Sequence, residues 1–230
     1  MQMFINTVTT RATEMGMKVN EDKTKILRVA ASKSFKASAV VSTLDGGTVK
    51  SVGSIKVLGV ILSNDANFKA HTNYVVGRIR SRIWALRSLK KTGMCHKELV
   101  QVYTSLIRPL AEHAGVVWHY QLTAEQSACI EYQQTLALRN IFGAGISAVK
   151  LRKLAGVELL SVRRERRCLQ FALQCVDNPR FSHWFGEHAT RRNIARARTD
   201  KRKFREEQAR TDRHMNSLIN YMKRLLNRNL

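Results

Sequence analysis

Basic side chains are the most numerous chemically active groups in this sequence. The 230 residues include 40 Lys and Arg against 17 Asp and Glu, which gives a formal net charge of +23. Clustered ammonium and guanidinium groups release counterions when they meet a polyphosphate, so RNA or DNA is the first expected partner. An anionic membrane surface is the second candidate, and a purely structural RNA-binding role is the third.

Two stretches concentrate these charges. No acidic residue occurs between Asp65 and Glu98, and this stretch predicts one long helix with a basic exposed side. Its candidate phosphate contacts are Arg78, Arg80, Arg82, Arg87, Lys90 and Lys91, of which Arg78, Arg82 and Arg87 are expected on neighbouring faces. The second stretch supplies Arg191, Arg192, Arg196, Arg198, Lys201, Arg202 and Lys203. The alternatives are a solvated helix face for the first stretch and a membrane-bound tail for the second.

The carboxylates do not have the spacing of a catalytic metal site. The aspartates are Asp22, Asp45, Asp65, Asp177, Asp200 and Asp212, and no two are adjacent. Nucleotidyl transfer uses two divalent ions about 3.5–4 Å apart, and such a pair needs clustered carboxylates. The sequence also lacks P-loop, dinucleotide-binding, zinc-protease and nucleophile-elbow motifs. We therefore expect no metal site, no cofactor and no small-molecule substrate.

The four cysteines, Cys95, Cys129, Cys168 and Cys175, are expected to be free thiols because they lie far apart in the chain. Cys168 and Cys175 could form a zinc knuckle with His183 and His188. Seven residues of helix would separate the two thiols by about 10 Å, too far to share a metal. Two small buried thiols are the preferred interpretation.

The hydrophobic period changes along the chain. Residues 3–15 predict a helix that Gly16 ends. Five β-like runs follow: Met17–Val19, Thr24–Ala30, Ser38–Leu44, Thr48–Val52 and Ile55–Leu62. Asp45-Gly46 predicts a type I′ hairpin turn. The run from Val57 to Leu62 is apolar on both faces, which predicts a strand covered on both sides.

Beyond Phe68 the pattern is helical. The expected helices are Val75–Leu89, Lys97–Trp118 with a kink at Pro109, Ala124–Phe142, Val149–Ala155 and Ser161–Val176. Trp84, Tyr103 and Trp118 are expected in the core. The amphipathic end, Met215 to Leu226, is expected to dock back or to pair with a partner. No apolar run could span a bilayer and Met1 to Thr10 is not a secretory signal, so an intracellular protein of nucleus or cytoplasm is expected.

Several motifs, taken in order, resemble the reverse transcriptases of non-LTR retrotransposons, from the late palm through the thumb. The palm-like motifs are Gly16-Met17-Lys18-Val19-Asn20, Lys23-Thr24-Lys25 and Lys56-Val57-Leu58-Gly59-Val60, the last with Val57 where the family usually has an aromatic. The thumb-like residues are Tyr103, Leu106 to Leu110, Glu112-His113 and Val117-Trp118. Glu131, Gln133, Leu138, Arg139, Ile141, Leu154, Gly156, Leu159 and Arg163-Arg164 resemble the segments that follow. The resemblance covers roughly the first three quarters of the chain.

The resemblance implies an α+β fold with three parts. Residues 1–66 would be a small antiparallel palm remnant, residues 67–190 a helical thumb-like region, and residues 191–230 a basic extension that is helical or disordered. The implied function is a fragment of an RNA-directed DNA polymerase that binds template–primer duplex. The complete enzyme would use Mg²⁺, but its catalytic aspartates would precede Met1, so the chain alone is not expected to polymerise.

The resemblance also adds candidate contacts to nucleic acid: Lys23, Lys25, Lys56 and Gly59. No catalytic residue is expected in this chain. The one candidate that the resemblance implies is Lys23, as an acid that would protonate the departing pyrophosphate. The alternative for Lys23 is an ordinary surface lysine in a turn. The alternative function is a non-enzymatic basic protein that binds RNA or DNA. The oligomeric state is left open.

Overall fold

The computed structural model describes residues 2–20, 22–29, 41–42, 48–49, 51–185, 204, 206 and 215–229. The described part is mainly helical with a few short strands, which agrees with an α+β class. The chain divides into two compact units, residues 1–71 and residues 72–230. None of the described helices has an apolar stretch long enough to cross a membrane.

The described residues of the first unit form one helix and three short strand pairs. Its elements are α1 (Gln2–Glu14), β1 (Ile26–Leu27), β2 (Val41–Ser42), β3 (Thr48–Val49), β4 (Ser51–Val52), β5 (Ser54–Val57) and β6 (Val60–Ser63). The pairs β2–β3 and β5–β6 are antiparallel, as expected, whereas β1 and β4 are parallel. The turn predicted at Asp45-Gly46 lies outside the described residues.

The strand predicted at residues 17–19 is absent from the described structure of that segment. The Met17 N–H instead donates a 2.8 Å hydrogen bond to the Ala12 carbonyl and closes the end of α1. Gly16, with φ of 70°, makes this closure sterically inexpensive. The prediction failed because alternation of apolar residues over so short a run does not reveal whether the backbone donors are already used.

A tight hairpin occupies the run that was predicted as one buried strand. Leu58 and Gly59 both have positive φ, 47° and 89°, and Val57 pairs with Val60 across the turn. The Leu58 side chain is 91% exposed. The continuous apolar run gave no sign of this turn. Two-residue hairpin turns need positive φ at their central residues, and Gly59 was the only residue here that indicated it. The prediction of a strand covered on both sides is wrong for this segment.

Helix α1 lies within one residue of the predicted bounds at each end but does not have the predicted apolar face. Ile5 packs against Ile26 and Val49, which form the small core of the first unit. Met3 and Phe4, on other sides of the helix, are 82% and 70% exposed. Only a narrow part of the amphipathic surface therefore contributes to packing among the described residues.

The second unit is mainly helical. Its elements are α2 (Lys69–Lys91, which begins in the first unit), α3 (His96–Val102), α4 (Arg108–Glu112), α5 (Gly115–Trp118), α6 (Ala124–Phe142), α7 (Ala148–Ala155), α8 (Leu160–Asp177) and α9 (Leu218–Asn229). Short 3₁₀ turns occur at His119–Gln121 and Ser182–Phe185. Helix α8 contacts α4, α5, α6 and α9. The predicted helices that become α2, α6, α7 and α8 are confirmed.

The helix predicted from Lys97 to Trp118 is interrupted twice instead of being kinked once. A π-helical turn, Tyr103–Ile107, ends two residues before Pro109, whose ring would clash with the carbonyl four residues earlier in a regular helix. Ala114 then adopts φ of 50° and separates α4 from α5. The Trp118 indole N–H donates to the His113 carbonyl at 2.9 Å and fixes this second break.

Two of the three aromatic residues predicted in the core are buried. Trp118 is 0% exposed and Tyr103 is 1% exposed. Trp84 is 69% exposed, so its assignment to the core was wrong. At about 100° per residue, Trp84 lies roughly 140° around α2 from the buried Ile79, outside the stripe that packs.

Helix α9 docks back on α8, which was one of the two alternatives for the end of the chain. A compact apolar cluster joins them: Ala172, Cys175, Phe185, Phe204, Met222 and Leu226. Cys168 and Cys175 are both buried in α8, as expected for small apolar thiols.

Candidate nucleic-acid interface

Helix α2 carries cations around most of its circumference and no acidic residue. Its cationic residues are Lys69, Arg78, Arg80, Arg82, Arg87, Lys90 and Lys91. At about 100° per residue they fall on two flanks of the buried stripe, Arg78 and Arg82 on one and Arg80, Arg87 and Lys91 on the other. The expectation that Arg87 shares neighbouring faces with Arg78 is wrong, because the two lie roughly 180° apart.

Lys90 and Arg87 attach α2 to the end of α6. Lys90 Nζ donates to the carbonyl oxygens of Asn140 and Ile141 at 2.9 and 2.8 Å. The last carbonyls of a helix lack intrahelical donors and carry partial negative charge, so an ammonium group stabilises them. Arg87 Nε donates to Asn140 Oδ1 at 2.7 Å. Lys90 therefore has a structural role, with its ammonium group partnered by two carbonyl oxygens.

Arg87 keeps part of its guanidinium available. The side chain is exposed, and its two terminal nitrogens have no partner among the described residues. The bond to Asn140 fixes one edge of the planar group, so less side-chain entropy is lost when the other edge meets an anion. Asn140 is thereby a positioning residue for Arg87.

The exposed Trp84 lies on the same flank as three of the cations. Arg80 precedes it by one turn, Arg87 follows it by three residues and Lys91 follows it by two turns. We name Arg80, Trp84, Arg87 and Lys91 the Trp84 face. Arg80 and Lys91 are exposed and have no ion-pair or hydrogen-bond partner in the part of the chain that the structure describes.

Arg78 and Arg82 lie on the opposite flank. The Arg78 guanidinium carbon is 5.9 Å from the centroid of the Tyr74 ring, and Nη1 donates to the Tyr74 hydroxyl at 3.4 Å. Arg82 is exposed, and no described residue pairs with it. Three predicted contacts on α2, namely Arg80, Arg82 and Lys91, are thus charged, exposed and uncompensated within the described structure.

The palm-like candidates lie in the first unit. Lys23 and Lys25 are exposed, and the Lys23 N–H donates to Asn20 Oδ1 at 2.9 Å within a turn. Lys56 is exposed on β5, and Gly59 lies in the turn to β6. This is the environment of ordinary surface lysines, and nothing in it favours acid catalysis by Lys23.

The basic run of the C-terminal extension lies outside the described residues: Arg191, Arg192, Arg196, Arg198, Lys201, Arg202 and Lys203. The chain just after this run is attached to α9. Phe204 is 3% exposed, its N–H donates to Asn227 Oδ1 at 3.0 Å, and Asn227 Nδ2 donates to the Phe204 carbonyl at 2.9 Å.

Glu112 is the centre of an ionic network that sequence reasoning missed. Its side chain is 2% exposed, yet it pairs with the guanidinium groups of Arg163, of Arg167 at 3.0 Å and of Arg108 at 3.9 Å. Arg163 Nε donates directly to the carboxylate, and this bond raises the pKa of Arg163. These arginines balance a buried charge and hold α4 to α8.

Arg164 is a second buried cation next to this network. Its guanidinium lies 5.3 Å from the Trp118 ring centroid and 4.0 Å from the Glu131 carboxylate, and Nε donates to His119 Nδ1 at 3.4 Å. Burial lowers the pKa of Arg164. Burial, together with the charge of Arg164, lowers the pKa of His119 to about 4. His119 is therefore neutral at physiological pH.

Glu131 caps the start of α8. Its two carboxylate oxygens accept hydrogen bonds from the N–H groups of Leu160 at 3.2 Å and Ser161 at 2.6 Å. Leu159, at the cap position, has no side-chain acceptor, so α6 supplies it. Several residues of the motifs that carry the resemblance thus hold the helices together: Glu112, Trp118, Glu131, Arg163 and Arg164.

The described residues offer no fitting donor set for a metal. No group of three or more His, Cys, Asp or Glu side chains within the described ranges could hold one. Burial raises the pKa of Cys168 to about 12, which keeps the thiol protonated, and His188 lies outside the described residues.

The fold and the basic helix define a class of protein: a mainly helical chain that presents exposed, uncompensated cations and one exposed indole. No protein-family model matches the chain, and no curated protein or solved structure does. Its function has to follow from its own contacts and charges.

Proposed function

We propose that the chain binds nucleic acid along the exposed flanks of α2. The observation that carries this proposal is the charge of α2, seven cations and no acid, with Arg80, Arg82 and Lys91 uncompensated among the described residues. A solvated helix ordinarily pairs its cations with Glu or Asp three or four residues away, and like charges at that spacing repel by a few tenths of a kcal/mol. A polyphosphate would relieve that repulsion.

Within this proposal the chain is the template–primer-binding part of an RNA-directed DNA polymerase of the non-LTR retrotransposon type, unable to polymerise alone. The ordered motifs of the sequence support this assignment, as does the succession of a strand-containing unit and a helical unit. Its partner would be a primer–template duplex, contacted through the phosphates by α2 and by the basic run from Arg191 to Lys203.

A non-enzymatic basic protein that binds RNA or DNA is the second candidate. One observation favours it: Glu112, Glu131, Arg163 and Arg164 have structural roles in the helical unit. The motif residues there could reflect packing alone. The two candidates differ in whether the ligand must be a primer–template.

Fluorescence anisotropy with a labelled primer–template duplex tests the proposal. We expect binding that weakens with salt. Unlabelled primer–template should displace the labelled one more effectively than a blunt duplex or heparin does, because a polymerase fragment contacts the junction. Primer extension in Mg²⁺ and all four nucleotides is expected to give no product. Equal competition at equal charge would favour the second candidate, and absence of binding at about 50 mM salt would remove both.

Template-dependent extension in the same reactions would contradict the assignment of this chain as non-polymerising. The assay is run beside a reverse transcriptase as a positive control for primer and template. A mock purification from cells that carry the empty expression vector serves as the control for adventitious polymerase in the preparation.

A further inference from the structure

The exposure of Trp84 is not explained by packing. A tryptophan ring is among the most apolar side chains, and the two other indoles of the helical unit are packed: Trp118 is 0% exposed, and Trp184 lies against the apolar cluster of α8 and α9. Trp84 is 69% exposed at the middle of a long helix, and no described residue stacks against its ring or accepts from its indole nitrogen. A large flat apolar surface is thus presented on a rigid element.

We propose that Trp84 is a stacking platform for an unpaired base, so that the Trp84 face binds single-stranded nucleic acid. This inference rests on the proposed nucleic-acid binding and specifies its ligand. Bases stack on exposed aromatic rings while neighbouring cations bind the backbone, which is the usual composition of single-strand binding sites.

The surroundings of the ring supply the backbone contacts. Along the helix axis, Arg80 lies about 6 Å from Trp84 on one side and Arg87 about 4.5 Å on the other. Consecutive phosphates of one stacked strand advance by about 3.4 Å along the strand axis, so a base on the ring places phosphates one or two nucleotides away within reach of both long cationic side chains. Arg87 is already oriented by its 2.7 Å hydrogen bond to Asn140.

A single strand fits this face better than the other polyanions. A duplex keeps its base faces stacked inside and would leave the indole in water. An acidic protein segment would satisfy the charges, but carboxylates offer nothing to the ring. Only unpaired nucleotides combine phosphates and exposed π faces, and the single-stranded template beside a primer end is one such segment.

The test compares two oligomers of equal length, a 12-nucleotide oligo(dT) and the corresponding abasic oligomer, which has the same phosphates but no bases. We expect the wild-type chain to bind oligo(dT) at least about 5-fold more tightly, since stacking on an aromatic ring is sequence-tolerant and favourable for each base. Trp84→Leu should lose this preference. Its charge is unchanged, so its salt dependence should match the wild type.

Arg80→Gln is the matched control on the same face. It should weaken binding of both oligomers equally and reduce the slope of log affinity against log salt by about 0.7, the value for one phosphate contact on a single strand. Tryptophan fluorescence gives a second readout. Saturating oligo(dT) should quench part of the emission of the wild type, and this quenching should be lost in Trp84→Leu, which lacks the indole on the Trp84 face.

The outcomes separate the two proposals. If Trp84→Leu binds oligo(dT) like the wild type, or if poly-glutamate competes as well as oligo(dT), Trp84 is not a base platform although nucleic-acid binding stands. If neither oligomer nor the primer–template binds the wild-type chain, the proposed function itself fails. Circular dichroism verifies that Trp84→Leu is folded, as expected for an exposed position.

Discussion

Replacing Glu112 with Gln is expected to lower the free energy of unfolding by about 3 kcal/mol. Glu112 is 2% exposed, and its carboxylate balances Arg163, Arg167 and Arg108. Removing one partner of a buried ion pair costs roughly 3–5 kcal/mol because the other charges remain desolvated without compensation. We place the effect at the lower end because the Arg167 side chain is 49% exposed and can be hydrated.

Glu158→Gln is the matched control for this variant. Glu158 pairs with Arg166 at 2.7 Å and reaches Arg163 at 4.0 Å, but its side chain is 47% exposed. Surface pairs of this kind contribute less than about 1 kcal/mol. Urea unfolding followed by circular dichroism measures both variants. Equal destabilisation by the two substitutions would show that burial of Glu112 does not determine its contribution.

Stability is expected to fall at mildly acidic pH because of His119. Its pKa in the folded protein is about 4, below the ordinary value of 6.5, since burial and the Arg164 guanidinium disfavour the imidazolium form. Between these two values the unfolded chain binds the proton more strongly. The stabilisation is therefore complete above pH 6.5 and is lost as the pH falls towards 4, by roughly 3 kcal/mol in total.

His119→Gln isolates this contribution, because glutamine does not titrate and its amide oxygen can still accept from Arg164 Nε. We expect the free energy of unfolding of the wild type to fall by roughly 3 kcal/mol more than that of His119→Gln between pH 7 and pH 4. Carboxylates titrate in both proteins and cancel in the difference. Parallel pH profiles would mean that His119 becomes protonated without cost in the folded state.

The long helices were predictable because their limits are local. Thr123 and Gln126 form a capping box at the start of α6, and Gly143, with φ of 118°, ends it. The wrong predictions concern backbone conformations that the pattern of apolar and polar residues does not specify. The turn at Leu58 lies within a continuous apolar run. The π-helical turn before Pro109 keeps the chain helical but rotates the residues after it to another face of the helix.

The candidate site was predictable in composition but not in geometry. The absence of acidic residues around α2 is visible in the sequence, whereas the attachment of Lys90 and Arg87 to Asn140 depends on residues 50 and 53 positions away. The exposure of Trp84 could have been found, since Trp84 falls outside the stripe of Ile79, Ile83 and Leu86. The prediction placed Trp84 in the core because its ring is apolar, and it did not use the position of Trp84 around the helix.

The most direct test of the central claim is the salt dependence of primer–template binding, with a single-stranded template overhang, after neutralising the exposed cations of α2. We compare Arg80→Gln/Arg82→Gln/Lys91→Gln with Lys97→Gln/Lys150→Gln/Lys153→Gln, which removes the same charge from exposed positions on α3 and α7. If α2 contacts phosphates, the first variant should bind roughly 100-fold more weakly at about 0.15 M salt, and its log–log slope should be smaller by roughly 2–3, whereas the second should keep the wild-type slope. Equal losses in both variants, or an unchanged slope in the first, would contradict the assignment of α2 as the nucleic-acid interface.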